Sequence, residues 1–228
     1  MPIQKGHTMS LSDAWFGKLA SVAICLIIAT SLGSGVSVAK KKPKAKVIPQ
    51  EKAKLVLRVP GLANSQAIFL RQEVAGDTRE VGLWRSPSGA SPAAQLTLIE
   101  LHSSYQFVEG PPLQELLRQN FQGGLGILFG NYGLPQIVGA PGELVNHYGT
   151  VEFQRFTLGT GIACVGMRQY MGWVEEVDAA NTPLGDTQVF GWYCAAPDDP
   201  LSDEMVTTFV RGIGVKGIAW RGKWLPNE

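Results

Sequence analysis

The chain is short of most things that catalytic sites are built from. Its 228 residues hold three histidines and three cysteines, and none of them falls at the C-x₂₋₄-C or H-x₃₋₅-H spacing of a structural zinc site. There is no G-x-S-x-G and no G-x-x-x-x-G-K-[ST], so neither a nucleophile elbow nor a P-loop is encoded. The nearest approach to a nucleotide loop, Gly124-Leu125-Gly126-Ile127-Leu128-Phe129-Gly130, has one residue too many for G-x-G-x-x-G. It also follows a helical pattern rather than a strand. It reads as a loop that needs positive φ at several positions; the alternative is a Gly126-x-x-x-Gly130 surface for close helix approach. No internal repeat is apparent. No metal or cofactor site is expected.

Basic charge is scarce wherever a fold is encoded. Residues 59–228 carry ten Lys/Arg against seventeen Asp/Glu. Nucleic-acid affinity comes largely from Lys/Arg on phosphates, so an acidic domain argues against that partner. The missing basic charge sits just upstream, where residues 40–58 hold eight Lys/Arg and one acid, Glu51.

What the chain does have is one long apolar run. Residues 19–32, LASVAICLIIATSL, are uncharged, follow Lys18, and lead through small residues to Ser37-Val38-Ala39. This is the pattern of an export signal, with cleavage after Ala39, and Met9 is a candidate start. A reading from Leu19 to Ala39 reaches the roughly 20 residues of a membrane helix, so a retained N-terminal anchor is the alternative. The lysines that follow the run favour the cytoplasmic side. Cys25 lacks a lipobox because Ile24 stands where Gly or Ala is needed. The organisation expected is a signal peptide or anchor over 1–39, a basic Lys/Pro linker over 40–54 and one globular domain over 55–228. On this reading the protein is exported to the periplasm or cell envelope, with a single inner-membrane helix as the alternative. The lysine run could also tether the domain to an anionic surface, at about 1 kcal/mol per basic residue.

The fold class expected for 55–228 is α+β: an antiparallel sheet with two or three packing helices. Residues 55–59 read as a strand stopped by Pro60-Gly61. Residues 66–84 read as two strands around a turn at Ala75-Gly76-Asp77, and 95–101 as another strand. Residues 111–121, PPLQELLRQNF, read as a helix with Leu113, Leu116, Leu117 and Phe121 on one face. Residues 123–142 read as glycine-rich loop, and GELVNHYG as a short helix or turn. A C-terminal three-strand meander is expected over 151–158, 162–173 and 187–195, with a tight turn at Gly159-Thr160-Gly161. Ser202 is a good N-cap for a last helix presenting Met205, Val206, Phe209 and Val210. Residues 215–220 are a candidate edge strand.

The stretch from Gly139-Ala140-Pro141 through Cys164 resembles small bacterial envelope modules such as outer-membrane assembly lipoproteins. The resemblance implies a short Gly-x-Pro helix turn followed by an antiparallel pair. The chain departs from that pattern in lacking a lipobox and in its glycine-dense lead-in, so no functional residue is carried over.

Cleavage after Ala39 removes Cys25 and leaves Cys164 and Cys194, an even pair that reads as a disulfide in an oxidising compartment. The competing readings are two buried thiols, or a thiol nucleophile using Cys164 or Cys194 with His147. That last reading would make the protein a thiol-dependent or other periplasmic hydrolase. The acidic pairs Glu175/Glu176, Asp198/Asp199 and Asp203/Glu204 read as loop and helix-start charge. Trp220, Arg221, Lys223 and Trp224 form a candidate patch for a protein, polysaccharide or lipid surface of the envelope, and the membrane is a further partner if the signal is retained. The leading expectation is therefore an envelope protein of binding or structural class, with no catalytic residue assigned.

Overall fold

The computed structural model describes residues 44–63, 65–74, 76–86, 92–101, 107, 110–121, 134–159, 161–172 and 185–218. Ten strands and two α-helices lie within them. The strands are β1 (Lys46–Ile48), β2 (Leu55–Leu57), β3 (Gln66–Val74), β4 (Asp77–Arg85), β5 (Ala93–Glu100), β6 (Gln136–Asn146), β7 (Gly149–Leu158), β8 (Ile162–Met171), β9 (Thr187–Cys194) and β10 (Ile213–Val215). The helices are α1 (Leu113–Asn120) and α2 (Asp203–Arg211). Eight strands form one antiparallel sheet in the order β1-β3-β4-β5-β9-β8-β7-β6, and β2 pairs with β10. This is a sheet-rich α+β fold.

Alternation along the strands divides the sheet into two faces. One face carries Leu96, Leu98, Val165, Met167, Val189 and Tyr193 against Val206, Phe209 and Val210 of α2 and against Leu55, Ile213 and Val215 of the β2–β10 pair. The other carries Phe156, Leu158, Cys164, Phe190, Trp192 and Cys194 against Leu113, Leu117 and Phe121. Helix α1 approaches the sheet at Gly166, where any Cβ would run into the Leu117 side chain. Ser202 Oγ accepts the Met205 N–H at 3.1 Å and so caps α2.

Two segments differ from what their composition suggests. Residues 46–54 fall in the expected linker, yet Lys46–Ile48 pair with Phe69–Arg71 and Ala53 is buried. The anchor is Glu80, whose Oε1 accepts the backbone N–H groups of Lys54 and Leu55 at 2.8 and 2.9 Å. Its other oxygen takes Arg71 Nη2 at 2.6 Å. Lysine-rich composition did not reveal this, because the anchoring groups are backbone amides and a carboxylate far along the chain.

Residues 136–146 are a strand, where loop to residue 142 and then a short helix or turn is expected; the turn of that stretch lies at 147–148. The register shifts between Val138 and Gly142, and Gly139 takes φ +69° inside the irregularity. Such a bulge frees ladder groups, and Gln154 recovers them: its Nε2 donates to Val138 O at 2.9 Å and Gly139 O at 3.3 Å. Gln114 of α1 in turn donates to Gln154 Oε1 at 3.1 Å. Gly139 and Pro141 are therefore bulge residues, not helix punctuation.

Candidate functional site

The cysteines lie on the α1 side of the sheet. Ala195 N–H donates to Ala163 O at 2.9 Å, so the adjacent pair Cys164↔Cys194 is a non-hydrogen-bonded one. Side chains are closest at such pairs, where Cα atoms sit about 4.5 Å apart. The two Cα atoms here are 4.1 Å apart and the sulfurs form a disulfide. Both residues are buried, with Phe156 directly across from Cys164 and Trp192 in the same cluster.

Both sulfurs are taken up in the bond, so neither is a thiolate, the species that a Cys/His nucleophile requires. His147 is also badly placed for it. It sits in the β6–β7 turn, whereas Cys164 lies opposite Phe156 near the far end of β7. At about 3.3 Å per residue, the strand separates them by roughly 20 Å. The turn is itself fixed. Asn146 and Gln169 exchange amide hydrogen bonds of 3.0 and 2.8 Å, and the Tyr148 hydroxyl accepts the Val215 N–H at 2.8 Å.

Polar groups hold α1 over the bridge. Arg168 donates to Glu152 Oε2 from Nε (3.0 Å) and Nη2 (2.6 Å), and its Nη1 donates to Pro111 O at the start of α1 (2.6 Å). The guanidinium carbon also lies 5.5 Å from the centre of the Tyr170 ring.

Farther across the same face lies a set of groups that the sequence reading left unassigned. Arg79 on β4 shares this face with Gln95 and Thr97 on β5. Burial pulls the Arg79 guanidinium below its ordinary pKa. The available signal was the alternation in AAQLTLIE, which puts Gln95 and Thr97 on one face of a strand that turns out to be central. Two polar side chains on one face of a central strand mark a place where that face meets something other than core.

Among the described residues no group of three or more His, Cys, Asp or Glu is arranged to hold a metal ion. Ala39 and His102, and the Trp220, Arg221, Lys223 and Trp224 patch, lie outside the described residues. No protein-family model, curated protein or solved structure matches the chain.

Proposed function

We propose that the protein is an exported cell-envelope protein of binding or structural class, acting by contact rather than by covalent chemistry. The observation that carries the reading is the buried Cys164–Cys194 bridge, a bond that forms and persists in oxidising compartments. It is supported by the apolar run 19–32 closing on Ser37-Val38-Ala39, which has signal-peptide form. The reading takes 151–195 as a meander stapled by the bridge. It places the partner among the proteins, polysaccharides or lipid surfaces of the envelope, with Trp220, Arg221, Lys223 and Trp224 as the contact patch.

The test is N-terminal sequencing of the protein expressed from its full sequence, with thiol alkylation before and after reduction. The expected result is a mature chain starting at Lys40 that alkylates only after reduction. A retained N-terminus together with an exported reporter fusion would select the anchored form. A retained N-terminus with freely alkylating cysteines and an inactive reporter would sink export altogether.

A further inference from the structure

Strand register sets three pairs of side chains side by side on the disulfide-bearing face of β4 and β5: Arg79 with Ile99, Val81 with Thr97, and Leu83 with Gln95. Successive pairs are two residues apart, about 6.6 Å along the strands. The strip therefore starts at a cation and continues over apolar surface flanked by two polar side chains. Gln95 and Thr97 are 1% and 2% exposed. Arg79 Nε, Thr97 Oγ1 and Gln95 Oε1 are all buried without a hydrogen-bond partner among the described residues. Among those residues, no ion pair includes Arg79.

Folded chains pair the great majority of buried polar atoms. Three without a partner among the described residues, in a single contiguous strip and one of them on a cation, each carry a desolvation cost that a bound ligand would offset. A water molecule can satisfy Thr97 or Gln95 but cannot neutralise a guanidinium. The planar fork of an arginine matches a carboxylate or phosphate. Of the other cations on this face, Arg168 is committed to Glu152, and Arg85, two residues beyond Leu83 on β4, has an interaction of its own, so Arg79 is the positive charge left for a ligand. A monoanionic carboxylate balances that charge, whereas a dianionic phosphate would not. Gln95 Oε1 accepts only, so the ligand must bring an N–H or O–H behind its anionic end. Val81 and Leu83 supply the apolar wall, and Ile68, paired with Leu83 on β3, is 45% exposed and opens the strip to solvent.

We propose that this strip binds an elongated organic carboxylate with an amide or hydroxyl group behind the carboxylate and an apolar tail. Arg79 takes the carboxylate, Thr97 and Gln95 take the hydrogen-bonding group, and Val81 and Leu83 flank the tail. The chemistry is that of an N-acyl amino acid, and the proposal does not depend on the compartment in which the protein resides.

The test is calorimetric titration of the full chain with N-dodecanoylglycine, alongside dodecanoate, N-acetylglycine and dodecylamine. The expected result is saturable binding of N-dodecanoylglycine, weaker binding of dodecanoate and of N-acetylglycine, and none of dodecylamine. Arg79→Gln should weaken binding about tenfold or more, and Thr97→Val about threefold to tenfold, because each removes a buried hydrogen-bonding partner, charged in the first case. A second readout is independent of any ligand: Arg79→Met should raise the melting temperature of the ligand-free protein by removing a half-buried cation whose Nε has no partner among the described residues. The proposal fails if N-dodecanoylglycine does not bind saturably, if dodecylamine binds equally well, or if Arg79→Gln binds like the wild type. Equal affinity for dodecanoate would remove Thr97 and Gln95 from the site.

Discussion

Glu80 and Arg71 form a carboxylate–guanidinium pair across β3 and β4, with Nη2 2.6 Å from Oε2, and the carboxylate is almost wholly buried. Because the second oxygen of Glu80 holds the backbone of Lys54 and Leu55, one side chain ties the N-terminal segment to the sheet. Glu80→Gln leaves Arg71 without its counter-ion. Removing one member of a buried pair costs about 3–5 kcal/mol, with Arg71 28% exposed placing the loss at or below the lower end. Urea denaturation of the variant should show that loss, together with earlier proteolysis near residues 46–54. Unchanged stability would mean the anchor is idle.

The disulfide closes a loop between positions 30 residues apart. The chain-entropy model gives such a closure about 3–4 kcal/mol. The double variant Cys164→Ala/Cys194→Ala should lose about that much in chemical denaturation, and reductant should lower the midpoint of the wild type but not of the variant.

Gly166 lies between Gln154 and Trp192 in neighbouring strands, directly beneath Leu117. Gly166→Val forces α1 off the sheet, and overpacking of this kind costs about 1–3 kcal/mol. The loss should be smaller when Leu117 is truncated to Ala in the same chain. A double-mutant cycle showing no coupling would refute the contact.

Burial, and secondarily the charge of Asp199, raise the pKa of Tyr193 above its ordinary value of 10.0. The unfolded chain therefore ionises first as pH rises. The stability contributed by keeping Tyr193 neutral is present below about pH 10 and is lost as pH climbs toward the higher folded value. Tyr193→Phe should flatten the fall in melting temperature above pH 10 while leaving neutral-pH stability little changed. Identical alkaline profiles would show that other groups control that limb.

Residues whose partners are near in sequence were readable from the chain. Leu113, Leu117 and Phe121 announce α1 by their spacing, Ser202 announces the start of α2, and the hairpin of β3 and β4 follows from alternation around Gly76. The pairing of Cys164 with Cys194 was accessible through the expectation that Cys25 leaves with the signal, which reduces three cysteines to one pair. What escaped depended on distant partners. Strand β6 looks like loop until Gln154 and Gln114 are seen filling its bulge, and Lys46–Ile48 look like linker until Glu80 is seen holding the following residues. Arg79, Gln95 and Thr97 gave no spacing signal, since they come together only through strand register.

The middle of the sheet is the seam between β5, which ends at Glu100, and β9, which begins at Thr187. Hairpins on either side can form locally, but this seam cannot close until most of the chain has been delivered. Non-local strand pairing of this kind slows folding. Until β9 arrives, β5 presents Leu96 and Leu98 beside an unpaired edge, the arrangement most open to wrong partners. On the export reading, the same delay works in the chain's favour: a polypeptide whose sheet is completed by its late strands stays threadable until translocation is nearly finished.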